Sequence, residues 1–256
     1  MKLSVVIITF NEAHNIVACL ESVAFASQRI IVDSGSTDGT VALARAAGAT
    51  VIETGDWPGF GPQKNRALSA ADENWVLSLD ADERIPAALA EEIQAAVAGS
   101  AHTFFALPRL SSFCGRLIYH GGWYPDYVIR LFRRDHGRFS DDLVHERVVA
   151  TGSGGKLKTP IHHTSYRDDD DVLRKLAHYS TLGARQAYAA GKRSTLSGAI
   201  AHAAAAFLRS YVFKRGFLDG QAGLMVAISS TESTYHKYLK LMLLSENKPS
   251  ASRSPE

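Results

Sequence analysis

The first hundred residues switch back and forth between two hydrophobic periods, and this alternation narrows the possible folds more than any other feature. LSVVIIT (Leu3–Thr9) is a continuous apolar, β-branched run, the pattern of a strand covered on both faces. Asn11 is placed to cap a helix whose apolar positions Ile16, Val17, Leu20 and Val23 recur at helical spacing. RIIVD (29–33) predicts a second strand, residues 41–47 a second helix closed by Gly48, and TVIE (Thr50–Glu53) a third strand. After the loop GDWPGFGP the spacing predicts a helix from about Gln63 and a fourth strand, WVLSLD (Trp75–Asp80). A further helix, opened by Pro86, should run to about Val97. Strand and helix in strict turn imply an α/β fold, a mostly parallel sheet with flanking crossover helices. Ligands bind such sheets outside the carboxyl ends of the strands. The polar clusters at 9–12, at Asp33 and at 80–83 all fall at those ends.

From residue 103 to about 166 the pattern breaks into short apolar and aromatic runs separated by Gly, Pro and Asp, as expected for a few antiparallel strands and loops. Residues 172–244 are helical in period, DDDD (168–171) suits the positive end of a helix, and 245–256 read as a disordered tail.

Charge is divided along the chain. Residues 1–173 carry 16 Lys and Arg against 22 Asp and Glu, whereas 174–256 carry 12 against 4. A basic helical tail fits an anionic partner such as a membrane surface or a phosphorylated lipid, and a solvated basic face is the plain alternative. Apolar faces over 203–213 and 224–228 lie near Arg209, Lys214, Arg215, Lys237 and Lys240. That arrangement suits helices lying on an anionic membrane, or helices packed on the rest of the chain or on a second subunit. The most apolar stretch, Leu196–Phe213, is alanine-rich and broken by His202 and Arg209, so no membrane span is expected. The short apolar run at the N-terminus reads as a buried strand, not an export signal. Cys19 and Cys114 fit no metal or redox spacing, and a chain without a disulfide framework suits the cytoplasm. No nucleic-acid motif accompanies the basic tail, and no nucleic-acid partner is expected.

The chemistry-bearing motifs sit at the strand ends. In SLDADE (78–83), a strand should deliver Asp80 and Asp82 to one face. Two carboxylates so close repel each other unless a cation joins them. Mg²⁺ or Mn²⁺ takes such oxygen ligands together with diphosphate oxygens. In IIVDSGSTDGT (30–40), Asp33 can accept from a nucleobase N–H or a ribose hydroxyl, or simply cap the turn as Asp38 is expected to do. A dinucleotide-dependent oxidoreductase needs G-x-G-x-x-G after the first strand, where TFNEAH stands, and is excluded. His162 or His163 could reach a metal or a phosphate, although a hydrogen-bonded structural role is commoner. GGWYPDYVIRLFRR (121–134) offers Trp123 and Tyr124 as platforms for a sugar face and Arg130 as a fork for phosphate, or else a strand with an aromatic inner face.

VVIITFNE, IIVDSGSTDGT, GDWPGFGPQKNRAL and WVLSLDADE, in that order, resemble the donor-binding half of the family 2 inverting glycosyltransferases, which have the GT-A fold. GGWYPDYVIRLFRR, DDLVHERV, KRGFLDGQAG and YHKYLKL are similar to a narrower subgroup. Its members are bacterial lipopolysaccharide core transferases that add a β-linked glucose to an inner-core heptose. The resemblance covers about 2–244. It implies a GT-A domain over 1–171 (donor half 1–100, acceptor half 101–171), with 172–244 as a helical extension.

The resemblance also implies a UDP-sugar donor and a divalent metal, Mn²⁺ or Mg²⁺. Thr9, Asn11 and Glu12 would line the uridine pocket, and Asp33 would bind base or ribose. Lys64 and Arg66 would face the donor, in keeping with a diphosphate's need for cations. Asp80 would contact the ribose side and Asp82 would ligate the metal. The general base would be a carboxylate downstream, among Asp141, Asp142 and Glu146. Glu146 is favoured and Asp142 is next, with His145 placed to orient it; the adjacent Glu-Asp pair of many relatives is missing here. Trp123, Tyr124 and Arg130 would meet the acceptor. That acceptor would be a lipid-linked saccharide at the cytoplasmic face of the inner membrane, or alternatively a polyprenyl phosphate or an exopolysaccharide. A non-catalytic nucleotide-sugar-binding scaffold predicts loss of Asp82 or Glu146, and both are present.

Overall fold

The β-branched runs form the buried middle of a sheet. In a computed structural model that describes residues 2–99, 101–140 and 146–246, four strands pair in parallel in the order β3-β2-β1-β4. These are β1 (Leu3–Thr9), β2 (Gln28–Asp33), β3 (Thr50–Glu53) and β4 (Trp75–Asp80). The crossovers are α1 (Ile16–Ser22), α2 (Thr40–Ala46) and α3 (Phe60–Ser69). Successive side chains on a strand point to opposite faces. Leu3, Val5 and Ile7 therefore pack with Ile16 and Leu20 on one side, while Val6, Ile30 and Val32 pack with Ala67 and Phe139 on the other. Both faces are covered, which is why no polar alternation interrupts the run.

Short connections then widen the sheet. β5 (Glu83–Arg84) and α4 (Ala87–Gly99) follow β4, and Leu89 and Ile93 of α4 join the first core. β6 (Phe104–Phe113), β7 (Arg116–Leu117) and β8 (Asp126–Arg133) come next, with β8 antiparallel to both β4 and β6. β9 (Gly137–Phe139) and β10 (Val148–Ala150) form a separate two-stranded pair. β11 (Gly154–Lys156) pairs with β6 in parallel, and β12 (Ile161–Tyr166) is antiparallel to β5. Register places Thr9 opposite Asp33 and Ile8 opposite Asp80, so β1, β2 and β4 end in one line. The site is built on that line.

Two helix starts differ from expectation. Asn11 does not cap α1: it lies at φ 57°, and the chain first makes a turn in which the Ile16 N–H donates to the Glu12 carbonyl. α3 starts at Phe60, ahead of Gln63, with Pro62 in its first turn where no N–H is needed.

The chain divides by packing into Met1–Leu110 with Pro125–Thr164, and Ser111–Tyr124 with Ser165–Glu256. Residues 111–124 thus pack with the helices of the second unit. In the second unit α5 (Asp169–Ala189) is capped by the Asp168 carboxylate, which accepts the Asp171 N–H at 2.8 Å. α6 (Leu196–Phe207) continues as a π-helical stretch, Leu208–Phe213. A 3₁₀ turn, Gly216–Asp219, then leads into α7 (Gly220–Glu246). Phe113, Ile118, Val172, Ala222 and Val226 form its core, with Trp123 and Tyr166 packed against them.

Candidate active site

The loops after β1 and β2 are laced into one rim. Asp33 is fully buried and accepts four hydrogen bonds: Oδ1 from the N–H groups of Gly35 and Ser36, Oδ2 from the hydroxyls of Thr9 and Ser36. Three of these bonds come from the turn after β2 and the fourth from Thr9 of β1, so Asp33 shapes residues 34–36 and ties them to β1. Asn11 donates its N–H to Ser36 Oγ and accepts the Thr37 N–H at 2.9 Å. The Glu12 N–H donates to Thr40 Oγ1, and its carboxylate accepts from Asn15 Nδ2. Phe10, exposed at the same rim, is an aromatic face that the sequence reading passed over.

The end of β4 carries a dense ion network. Lys64, 4% exposed, reaches Asp80 Oδ1 at 2.9 Å and Glu146 Oε1 at 2.8 Å. Arg130, 6% exposed, donates one guanidinium nitrogen to Asp80 Oδ2 and to Glu83 Oε1 at 2.7 Å. Glu83, fully buried, also accepts the Asp80 N–H at 2.9 Å. Burial alone would raise the Asp80 carboxyl, but Arg130 and Lys64 beside it hold it well below the usual carboxylate range. Glu83 is pushed up by burial, with the Asp80 charge adding to the effect and Arg130 opposing it. Burial likewise pushes the Cys19 thiol up to about 12, so it stays a packed, protonated group.

Asp82 does not share Asp80's surroundings. β4 ends at Asp80, and Asp82 lies in the turn before β5, so the expected common face is not formed. Its Oδ2 lies 3.3 Å from His163 Nε2, and its carbonyl accepts the Thr164 N–H. β12 pairs His163 with Glu83 and His162 with Arg84, which fixes His163 as the histidine beside Asp82. Among the described residues no three His, Cys, Asp or Glu side chains converge to hold an ion by themselves.

Other expected residues are distributed differently. Arg66 forms a two-pronged pair with Asp56 at 2.7 Å and reaches Gln63, not Asp80. Arg130 is the counter-ion of Asp80 and Glu83 rather than an exposed phosphate fork. Trp123 and Tyr124 belong to the second unit, where Trp123 packs against Phe113 and Tyr166. Asp141, Asp142 and His145 lie outside the described residues. Sequence reasoning missed the role of Glu83, although a signal existed. Three carboxylates within SLDADE need cations, and Arg130 interrupts an apolar strand where an unpaired arginine is rare.

The family model described as glycosyl transferase family 2 matches residues 4–151, from β1 through β10. The chain belongs to that family. Two relatives match this family 2 transferase over nearly its whole length. The lipopolysaccharide core biosynthesis glycosyltransferase LpsC of Rhizobium meliloti (strain 1021) is 31% identical, covering 93% of each chain. An uncharacterized glycosyltransferase of Rickettsia prowazekii (strain Madrid E) is 27% identical, covering 95% of this chain and 88% of its own. Among solved structures, S. aureus TarS 1–349 in complex with UDP-GlcNAc superposes with a TM-score of 0.50 at 18% identity. The match covers 64% of this chain and 58% of that one, and shows the GT-A fold. The protein is a glycosyltransferase, and the resemblance of its motifs to family 2 is thereby established.

Proposed function

We propose that this transferase moves a sugar, glucose in the first instance, from a UDP-sugar to an inner-core heptose of lipopolysaccharide by single displacement with inversion. The acceptor class is supported by full-length similarity to LpsC. The observation that carries the mechanism is the Lys64 clasp, one ammonium joined to Asp80 at the end of β4 and to Glu146 ahead of β10.

Glu146 is the general base in this reading. The acceptor hydroxyl oxygen bonds to the anomeric carbon, the bond from that carbon to the diphosphate oxygen breaks, and the hydroxyl proton passes to the Glu146 carboxylate. Before donor arrives, Glu146 is engaged by Lys64. A diphosphate beside Lys64 draws the ammonium toward its own charge and releases the carboxylate for the proton. Arg130 and Glu83 hold Asp80 in one rotamer while Lys64 changes partner. The rim of Thr9, Asn11, Glu12 and Phe10 supplies a wall for the nucleoside, with Asp33 holding its loop in shape.

Asp82 and His163 fit a divalent metal, Mn²⁺ or Mg²⁺. They offer one carboxylate and one imidazole at 3.3 Å, both partly exposed, and leave further ligands to come from diphosphate and water. When bound, such an ion offsets the charge that develops on departing UDP. The reaction belongs at the cytoplasmic face of the inner membrane, where a lipid-linked acceptor is presented.

Calorimetric titration of UDP into the purified protein, with Mn²⁺ and then with chelator, tests the donor and the metal together. Binding with Mn²⁺ that collapses with chelator is expected, and Asp82→Asn should behave like chelator. Glu146→Gln should keep UDP binding and lose about 10²–10⁴-fold in transfer. If Asp142→Asn loses transfer while Glu146→Gln retains it, the base is misassigned. Absence of UDP binding in both conditions would remove the donor assignment.

A further inference from the structure

The helices of the second unit present an apolar surface the wrong way round for a helix packed in water. On α6 the residues turned inward are small: Ala199 and Ala203 are buried, and α6 packs on α7, which buries Ala222, Gly223 and Ala227. The large apolar residues point out. Leu196, Ile200, Leu208 and Val212 recur every fourth or eighth position, so they share one face of α6 and its π-helical continuation, and all four are exposed. A soluble helix normally shows the opposite arrangement, with its bulky face buried.

The stripe ends at a tightly built tip. Phe213 is 76% exposed, and Phe217 and Leu218 of the 3₁₀ turn are also exposed. This is not a frayed loop. A Cβ on Gly223 would lie 1.8 Å from the Gly216 carbonyl oxygen, and one on Gly216 would lie 2.8 Å from that of Ser210. Backbones that close leave large side chains no interior, so they are carried outward. Leu224, Met225 and Ile228 continue the exposed apolar surface along α7.

The charge around this surface is mainly cationic, with Glu232 on α7 the exposed exception. Between residues 172 and 231 there are eight Lys and Arg and one acidic residue, Asp219. Asp219 is withdrawn from solvent: its side chain is 5% exposed, accepts the N–H groups of Tyr119 and His120, and meets His120 Nδ1 at 2.7 Å. Arg209, Lys214 and Arg215 are exposed beside the tip, and Lys192 and Arg193 stand ahead of α6. Exposed apolar residues clustered in this way mark an interaction site, and the cations Arg209, Lys214 and Arg215 at its tip select an anionic partner.

We propose that the tip 208–218 and the outer face of α6 form a monotopic docking surface for an anionic phospholipid bilayer. The apolar side chains enter the headgroup–acyl boundary, and Arg209, Lys214 and Arg215 meet the lipid phosphates. Leu196–Phe213 is long and apolar enough to cross a membrane by length and composition. Arg209 and Lys214 at its far end, together with a partner helix α7 carrying Glu232, Lys237 and Lys240, make it lie in the interface instead. The surface is independent of the donor and of the acceptor sugar.

Cosedimentation of the full chain with vesicles of phosphatidylglycerol and phosphatidylethanolamine, compared with pure phosphatidylcholine, tests the proposal. Wild type should partition at least 10-fold more to the anionic vesicles, and less as salt is raised. F213S/F217S/L218S should lose binding to both vesicle types. K214E/R215E should lose only the anionic preference, and both variants should keep the wild-type circular dichroism because the changed side chains are exposed. Wild type that ignores vesicles overturns the proposal, as does vesicle binding unchanged in both variants. If the protein ignores vesicles but the triple variant turns an oligomer into a monomer, the surface is an interface between copies and the lipid assignment is wrong.

Discussion

Arg130 shows how a single residue holds the site together. Its guanidinium is buried and charged, Glu83 is fully buried, and Asp80 depends on both Arg130 and Lys64. Removing the cation leaves Glu83 buried without its main counter-charge, so Arg130→Met should destabilise the fold by about 3–5 kcal/mol. Glu83→Gln alone should cost less, because Arg130 keeps Asp80. The double variant should recover part of the loss, since the orphaned charge is gone. Urea denaturation of the three variants reads this directly, and a single Arg130→Met with unchanged stability would show that the network carries no weight. At this scale the sequence revealed residue types better than partners. Asp80, Lys64 and Glu146 could be singled out, because charges at strand ends are conspicuous. That Lys64 joins the other two was hidden, since 82 residues separate it from Glu146. That Asp33 turns inward was hidden as well, because a carboxylate at a strand end can face the ligand or its own loop with the same sequence.

Whole elements were more legible, because a period needs only neighbours. β1, β3 and β4 match their apolar runs residue for residue. Gly48 follows α2 at φ 79°, a conformation that glycine adopts without penalty. Helix starts were legible where a side chain does the capping, as at α5, and not at α1, where a backbone turn intervenes. α5 also gives a prediction. Asp168→Ala removes its cap and should cost about 1 kcal/mol. Asp171, inside the first turn, is buried and paired with Arg174 and Lys175. Burial pushes its carboxyl up, but the hydrogen bonds from those two cations win and hold it below its ordinary value. A carboxyl lowered in the folded state adds stability above its unfolded pKa and loses it as pH falls through the folded value. Asp171→Asn should therefore be less stable than wild type at pH 7, by about 1 kcal/mol given the exposed cations. The gap should narrow as pH falls below the ordinary carboxylate range toward the lowered folded value of Asp171. Thermal melts at pH 7 and pH 3 check both the sign and the window; an equal gap at the two pH values would place the effect in packing instead of charge.

At the scale of the molecule, the change of period near residue 172 marks where strands give way to helices, but packing does not follow that boundary. Phe113, Ile118 and Trp123 belong by sequence to a strand-rich region, yet their core partners Val172, Ala222 and Val226 arrive 49 to 113 residues later. No local pattern announces a contact of that range, since an aromatic residue in a short run satisfies many possible partners equally. The consequence can be tested by cutting at the boundary the sequence suggests. A fragment of residues 1–171 keeps Phe113, Ile118 and Tyr166 but loses the side chains that cover them. Each large apolar residue uncovered forfeits about 1.5–3 kcal/mol of burial. That is a substantial fraction of the 5–15 kcal/mol by which domains are stable. The fragment should bind the dye ANS at its uncovered core, unfold without a sharp transition and associate at micromolar concentration, whereas the full chain should unfold cooperatively. F113S/I118S in the fragment should weaken dye binding by removing the exposed apolar surface. A fragment that is monomeric, cooperative and dye-free would mean that 111–124 finds its core within the strands, and that the helices are an appendage to a complete catalytic domain.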